Sequence, residues 1–147
     1  MNIIRLMRQE DLGAVYEIEH ETPSPWSLVS LKQELQVRRG RQYVAESSDR
    51  RILGWCACRL LWPEAELLKI AVTTDERKKS VGTSLLQHVI EELQGQSYSG
   101  LFLEVRANNK PALGFYERHG FLRVGIRSRY YSDPVDDAMI LKRDLVP

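Results

Sequence analysis

The sequence predicts a mixed α/β domain, of the α+β kind, built around one partly parallel β-sheet. With 147 residues, the chain is long enough for one domain and too short for two of ordinary size. Segments with the apolar pattern of strands occur beside segments whose apolar residues recur at helical spacing. In the second half, two strand-like segments each lead through a turn into a helix, which favours parallel neighbours in the sheet. We therefore expect residues 1–147 to form a single domain.

The first half of the chain predicts a strand, two helices and a β-hairpin. Apolar residues at helical spacing indicate the first helix, the prolines of PSPW end it, and Ser27 is suited to cap the second helix. The polar turn SSDRR joins the two strands of the hairpin. In order, the elements are MNIIRLM, RQEDLGAVYEIEHET, the segment after Ser27, RQYVAES and ILGWCACRLLW.

The second half predicts two strand–turn–helix units and a closing hairpin around DPVD. Its first strand, AELLKIAV, is dense in apolar residues, so we expect it at the centre of the sheet. The helix after it presents Leu85, Val89 and Leu93 on one face. The remaining elements are GLFLEVR, KPALGFYERHG, FLRVGIRSRYYS and DAMILKRDL.

Composition and charge exclude several classes of protein. Hydrophobic residues make up 43% of the chain and charged residues 28%, the balance of a folded chain rather than a disordered one. The 21 basic and 20 acidic residues leave a net charge of +1, so we expect no direct binding to nucleic acid. There is no stretch of about 18 apolar residues, and MNIIRLMRQED lacks the apolar run of a signal peptide. We therefore expect a cytoplasmic protein without membrane contact.

The two cysteines, Cys56 and Cys58, are predicted to be small packing residues. On a strand they face the same side, about 6.6 Å apart, which does not suit a disulfide between them. A lone C-x-C pattern is also a poor zinc site. We expect no metal in this protein.

The turn ERKKSVGTSLL has the features of a phosphate site. A turn that enters a helix leaves backbone N–H groups unpaired, and the helix dipole adds partial positive charge there. Arg77, Lys78 and Lys79 supply full positive charges, and Gly82 allows close approach of the backbone. The alternative interpretation is a solvated basic turn in front of an amphipathic helix.

Residues 103–121, LEVRANNKPALGFYERHGF, resemble the E-V-R-x-x-N-x-x-A-x-x-x-Y-x-x-x-G-F signature of the GNAT superfamily of acetyltransferases. The closest fit is the RimI-type branch, which acetylates the N-terminal alanine of a small-subunit ribosomal protein. PWS, IAV and RSRYY resemble further segments of that branch. The matching signature residues are Glu104, Val105, Arg106, Asn109, Ala112, Tyr116, Gly120 and Phe121.

This resemblance implies a fold, a cofactor and a partner. The fold is the GNAT fold, a mixed and mostly antiparallel central sheet with splayed parallel strands, flanked by about four helices. The cofactor is acetyl-CoA, used as a co-substrate, and the acceptor is a protein or peptide N-terminus offered to a monomer or weak dimer. The implied cofactor-binding residues are Ile70, Ala71, Val72, Arg77, Lys78, Lys79, Ser80, Val81, Gly82, Thr83, Asn109 and Tyr116.

One position departs from the superfamily's pyrophosphate turn, R/Q-x-x-G-x-G/A. Ser80 stands where the pattern has glycine. If this position has positive φ, serine costs about 1–2 kcal/mol there. If φ is negative, the hydroxyl can instead donate a hydrogen bond to a phosphate.

The implied chemistry gives Glu104 and Tyr116 catalytic roles. A free α-amino group has a pKa of about 7.7–8.0, so it must lose a proton before it attacks a thioester. Glu104 is the candidate base, and Tyr116 is the candidate acid that donates to the departing sulfur. The alternatives are an ion pair between Glu104 and Arg106, and aromatic packing of Tyr116 against the sheet.

Other residues are candidates for binding. Asn109 is expected to cap the helix that begins at Lys110, and the resemblance implies a contact with the cofactor arm. Trp26, Tyr130 and Tyr131 are predicted to lie in loops and to clamp an extended peptide, or else to pack at loop edges.

The acidic loop residues and the choice of acceptor leave alternatives open. Asp133, Asp136 and Asp137 either pair with a basic peptide or form a solvated turn. The alternative functions are acetylation of a small-molecule amine or a lysine, and CoA binding without catalysis.

Overall fold

The computed structural model describes residues 2–77 and 80–146, which form a seven-stranded sheet with helices on both faces. Short 3₁₀ turns cover Gln9–Asp11 and Thr74–Glu76. The helices are α1 (Leu12–His20), α2 (Leu28–Leu35), α3 (Val81–Gly95) and α4 (Lys110–Arg118). The strands are β1 (Ile3–Leu6), β2 (Gly40–Glu46), β3 (Ile52–Leu61), β4 (Glu64–Val72), β5 (Gly100–Arg106), β6 (Leu122–Ser132) and β7 (Val135–Asp144).

The sheet has the strand order β1-β2-β3-β4-β5-β7-β6. Every neighbouring pair is antiparallel except β4 and β5, which are parallel. The predicted mixed, mostly antiparallel sheet is therefore confirmed, together with both hairpins and the central place of the AELLKIAV strand. The helix α3 connects the two parallel strands, as a crossover between parallel strands requires.

Two helices begin with the predicted side-chain caps. Ser27 Oγ accepts a hydrogen bond of 3.1 Å from the backbone N–H of Ser30 at the start of α2. Asn109 Oδ1 accepts one of 3.2 Å from the N–H of Ala112 at the start of α4. Each such cap is worth about 1 kcal/mol, because it satisfies a donor that the helix itself leaves unpaired.

Two hydrophobic cores lie on opposite faces of the sheet. The larger one packs α3 and α4 against the strands and includes both cysteines, which are free thiols. The smaller one packs α1 and α2 against β2, β3 and β4, with Trp55 at its centre. Successive residues of β3 alternate between them, so Trp55 faces α1 while Cys56 faces α3.

Within the described part of the chain, none of the helices has the length and apolar character needed to cross a membrane.

Gly54 allows α3 to pack closely on the sheet. A Cβ atom added at Gly54 would lie 2.9 Å from the carbonyl oxygen of Ala71 and 3.2 Å from Cδ1 of Leu85. We predict that Gly54→Ala lowers the free energy of unfolding by about 1–3 kcal/mol, because the added Cβ atom would displace the backbone of β4 at Ala71 and the side chain of Leu85 on α3. Urea unfolding measures this value. Gly13→Ala is the matched control.

The control should change stability in the opposite direction. Gly13 lies in α1, and an added Cβ atom would meet nothing within 4 Å. Alanine there should stabilise the protein by roughly 0.5–1 kcal/mol, since it lowers the entropy of the unfolded chain. Equal effects of the two substitutions on stability would show that α3 does not depend on the missing side chain of Gly54.

Candidate active site

A gap opens between β4 and β5 at the centre of the sheet. The two strands pair only from Glu64 to Glu66 on β4 and from Gly100 to Phe102 on β5. Beyond these residues, β4 continues along β3 to Val72, and β5 continues along β7 to Arg106. The expected splay of the parallel strands is therefore confirmed.

The gap leaves backbone groups of β4 without a strand partner. Thr73 N donates to Leu53 O at 2.9 Å, and antiparallel alternation then turns Ala71 towards β3 as well. The same alternation directs the N–H and C=O groups of Ile70 and Val72 towards the gap. Consistent with this, Val72 O accepts a hydrogen bond of 3.2 Å from Nε of Arg77, which comes from outside the sheet. A ligand with amide groups could pair with this edge as a strand would.

The N-terminus of α3 lies next to the end of β4 and has no side-chain cap. Its first helical hydrogen bond runs from Ser84 N to Ser80 O at 3.0 Å. Within residues 2–77 and 80–146, no group accepts from the backbone N–H of Val81, Gly82 or Thr83. These free donors and the dipole of a 15-residue helix suit an anion such as pyrophosphate. Lys78 and Lys79, also predicted to bind there, lie outside the described residues.

Ser80 adopts the left-handed conformation, with φ of 69° and ψ of 13°. The backbone at Ser80 therefore has positive φ, and serine carries the backbone strain that glycine would avoid. Gly82 is not required by packing. A Cβ atom there would lie 3.6 Å from Phe115 and 3.7 Å from Val72, which is ordinary contact, so packing does not exclude a small side chain.

Glu104 projects to the face of the sheet opposite α3 and α4. Its neighbours Leu103 and Val105 are buried in the larger core, and alternation along β5 turns Glu104 the other way. Its Oε1 lies 3.4 Å from Nε of Arg127 on β6. Its Oε2 is buried and has no hydrogen-bond partner within the described part of the chain. The base candidate therefore has one carboxylate oxygen still available to a ligand.

The alternative partner proposed for Glu104 from the sequence is engaged elsewhere. Arg106 donates to the carbonyl of Pro134 at 2.9 Å and stacks on the ring of Tyr131 at 4.3 Å. The alternative ion pair between Glu104 and Arg106 is therefore wrong. Arg127 of β6 pairs with Glu104 instead.

Tyr116 lies in the larger core, on the face of the sheet that α3 and α4 cover. Its ring packs edge-on against Phe115 and Phe121, and only 8% of its surface is exposed. Burial raises the pKa of Tyr116, and the nearby Cys56 raises it further, so the phenol keeps its proton at neutral pH. The aromatic packing given as the alternative for Tyr116 is therefore observed, and the catalytic role stays a prediction.

A buried carboxylate, that of Glu19, positions Trp26 on the face of the sheet that α1 and α2 cover. Glu19 is fully buried in α1, where its Oε1 accepts from the N–H of Trp26 at 3.4 Å and its Oε2 faces Nζ of Lys69 at 3.4 Å. Burial raises the pKa of Glu19, and Lys69 opposes this shift. The ring of Trp26 packs edge-on against Trp55, with centroids 5.4 Å apart. The ring of Trp26 is therefore packed against Trp55 and partly exposed to solvent.

Tyr130 and Tyr131 lie within β6, in the strand that FLRVGIRSRYYS predicted, so the loop position expected for their binding role is wrong. The strand bulges between Arg127 and Tyr131, where the N–H of Arg129 donates to Asp137 at 2.8 Å. The bulge depends on this contact from the opposite strand. Tyr130 is 53% exposed, and its ring centroid lies 5.4 Å from the guanidinium of Arg127.

Asp136 and Asp137 lie at the start of β7 rather than in a solvated turn, and both accept hydrogen bonds inside the fold. Asp136 accepts hydrogen bonds from the N–H groups of Asn108, at 3.1 Å, and Asp137, at 2.8 Å. Asp137 holds the bulge of β6. Neither carboxylate is therefore free in the way that recognition of a basic peptide would need.

A separate cleft of about 570 Å³ lies between α1, the β2–β3 turn and the end of β4. None of the predicted site residues lines it. Its walls carry several carboxylates, including Glu10, Glu17 and Glu21, so it does not suit a pyrophosphate. Within the described ranges, no group of three or more His, Cys, Asp or Glu residues is arranged to hold a metal ion.

Comparison with known proteins identifies the family. Residues 8–121 match the model of the acetyltransferase (GNAT) family. The chain belongs to the GNAT family. An Escherichia coli (strain K12) protein named ribosomal protein bS18-alanine N-acetyltransferase is 33% identical to this GNAT chain over 146 residues, 96% of each chain. A Bacillus subtilis (strain 168) relative, provisionally named for the same activity, is 34% identical over 139 residues, 94% of this chain and 92% of the relative.

The family's solved structures include close matches to this fold. The crystal structure of the ribosomal-protein-S18-alanine N-acetyltransferase from Escherichia coli superposes with a TM-score of 0.91 at 32% identity, covering 100% of this chain and 96% of that one. Arabidopsis thaliana NAA60, in complex with a bisubstrate analogue, superposes with a TM-score of 0.88 over 98% of both chains. At 16% sequence identity, this superposition shows the fold alone.

Sequence reasoning missed two charged residues beside the gap, Glu66 and Arg127. Alternation in AELLKIAV did contain a signal for Glu66, because Ala65 and Leu67 are apolar and the glutamate between them must face the other side. Arg127 lies in the RSRYY segment, but its pairing with Glu104 spans 23 positions and has no local signal.

We predict that Ser80→Gly stabilises the protein by about 0.5–1 kcal/mol and tightens acetyl-CoA binding, because glycine adopts positive φ without strain. Thermal unfolding and isothermal titration with acetyl-CoA measure the two effects. Ser80→Ala is the control, since it removes the hydroxyl but keeps the Cβ atom. If alanine improves binding as much as glycine does, the hydroxyl and not the backbone limits affinity.

Proposed function

We propose that this protein is an acetyl-CoA-dependent N-acetyltransferase that acetylates a protein N-terminus, the N-terminal alanine of a small-subunit ribosomal protein. The observation that carries the proposal is the gap between β4 and β5, with the Glu104 carboxylate on one face and the buried Tyr116 phenol on the other. The choice of acceptor is supported by relatives named for that activity along almost their whole length.

The residues present fit acetyl-CoA. The free N–H groups at the start of α3 would hold the pyrophosphate. The guanidinium of Arg77 donates to the carbonyl groups of Val72 and Glu21. The backbone of Ile70 and Val72 would pair with the pantetheine amides, and the N–H of Val72 would polarise the thioester carbonyl. When bound, the cofactor supplies an acetyl group activated as a thioester.

Glu104 has the environment of a general base for the acceptor amine. Arg127 pairs with one oxygen of the carboxylate, while Oε2 has no partner within residues 2–77 and 80–146. The carboxylate would take a proton from the α-ammonium group directly or through one water. The nitrogen lone pair would then form the C–N bond at the thioester carbon. The C–S bond would break, and the nitrogen would lose its second proton to solvent to give the amide.

Tyr116 has the environment of a hydrogen donor to sulfur. Its raised pKa keeps the phenol protonated until the C–S bond breaks and negative charge develops on the leaving thiolate. In this mechanism, Glu104 would accept a proton from the amine on one face of the sheet, and Tyr116 would donate a proton to sulfur on the other.

The acceptor would enter on the face of α1 and α2. Trp26 and Tyr130 present partly exposed rings there and would flank an extended peptide, with Tyr131 packed beside Arg106. We further propose that the protein acts in the cytoplasm, as a monomer or weak dimer, without contact with nucleic acid or membrane.

Acetylation of a short peptide that begins with alanine tests the proposal. Labelled acetyl-CoA should transfer its acetyl group to the free peptide and not to the same peptide with a blocked N-terminus. A peptide that contains lysine and a blocked N-terminus, and a panel of small amines, test the alternative acceptors. Transfer to either of these without transfer to the alanine peptide would overturn the proposed acceptor.

We predict that Glu104→Gln lowers kcat/KM at pH 7 by about 10²-fold, the usual contribution of a general base. Part of the loss should be recovered above pH 8, because the amine is then already neutral. Steady-state rates from pH 6 to pH 9.5 measure the profile. Tyr116→Phe is the comparison variant, since it should lose activity at every pH without this recovery. A Glu104→Gln profile parallel to that of the wild type would exclude the glutamate as the base.

A further inference from the structure

A second carboxylate, Glu66, borders the gap on the same face as Glu104. Ala65 and Leu67 are buried in the larger core, so alternation turns Glu66 towards the face of α1 and α2. Glu66 forms the last paired rung of the two strands, opposite Phe102. Glu104 is the next residue of β5 on that face. The two carboxylates therefore stand on opposite sides of the gap, where it begins to open.

Glu66 has no dedicated partner. No hydrogen bond or ion pair involves its side chain within residues 2–77 and 80–146. Two guanidinium groups lie near it, but each is bound to another carboxylate. Arg59 on β3 pairs with Glu34 of α2 at 2.7 Å, and Arg127 on β6 pairs with Glu104 at 3.4 Å.

The environment of Glu66 makes a bound cation favourable. Burial raises the pKa of Glu66, and the neighbouring charge of Glu104 raises it further, against the opposing effect of Arg59 and Arg127. Two carboxylates that share a poorly solvated space repel one another when both are charged. A positive group placed between them would relieve this repulsion and favour the charged form of Glu66.

We propose that Glu66 binds the acceptor as its α-ammonium form and positions it for Glu104, so that the two glutamates hold the cation across the gap. The inference rests on the proposed function, because it assumes that the amine enters on this face. Glu66 contributes to binding of the charged amine, whereas Glu104, with its unpartnered oxygen, removes the proton. Glu66 is thus a positioning residue, and its loss should affect KM rather than kcat.

The test compares the binding of a charged and an uncharged peptide. With CoA present in place of acetyl-CoA, isothermal titration measures the Kd of an alanine-starting peptide and of the same peptide already acetylated. Glu66→Gln should weaken binding of the free amine roughly tenfold, the effect of losing one hydrogen bond to a charged group. Binding of the acetylated peptide, which has no charge at that position, should stay the same.

Steady-state kinetics supply a second readout. Glu66→Gln should raise KM at pH 7 by a similar factor with kcat within about twofold of the wild type. The increase in KM should shrink above pH 8, where the amine loses its charge. Glu64→Gln is the matched control, because Glu64 lies on the same strand and face but pairs with Lys142. That substitution should change neither constant.

The outcomes separate this inference from the function itself. Equal weakening of both peptides by Glu66→Gln, or no weakening of either, would overturn the positioning role while the wild type remains active. A fall in kcat with unchanged KM would also overturn it. If the wild type neither binds nor acetylates the free alanine-starting peptide, the proposed function fails and this inference fails with it.

Discussion

The separation of β4 from β5 is the constraint on which the site depends. A continuous sheet would use the N–H and C=O groups of Ile70 and Val72 in a strand ladder and would divide the protein into two faces. Because pairing stops at Glu66 and Phe102, these groups have no strand partner on the side of the gap, where Val72 O accepts instead from Arg77. The proposed acid and base therefore need not share a face. In the proposed mechanism, the sheet would separate the side that holds the thiol from the side that admits the amine.

The helices next to the gap differ in how their N-termini are capped. The helices α2 and α4 satisfy their first N–H groups with Ser27 and Asn109, whereas α3 leaves its own donors free within the described residues. The strain at Ser80 is the cost of shaping that N-terminus without a glycine. On the other face, buried Glu19 ties the segment that carries Trp26 to the sheet. Rigid elements thus hold both halves of the site.

Local patterns predicted most of the fold, and long-range contacts account for what they missed. Ser27 and Asn109 were identifiable as caps because a cap involves only the next few residues. The splay came only from the family resemblance, since it depends on where two distant strands stop pairing. Tyr130 and Tyr131 were misplaced in a loop because Asp137, on another strand, stabilises the bulge of β6. Arg106 was a reasonable partner for Glu104 by proximity in sequence, but the fold brings Arg127 there instead.

A crystal structure with CoA and an alanine-starting peptide bound together tests the central claim most directly. The account predicts pantetheine between β4 and β5, hydrogen-bonded to the backbone of Val72, with its sulfur beside the hydroxyl of Tyr116. The peptide amine should lie on the opposite face, against Glu104. Cofactor bound in the acidic cleft beside α1, or sulfur and amine both on one face of the sheet with the gap empty, would contradict it.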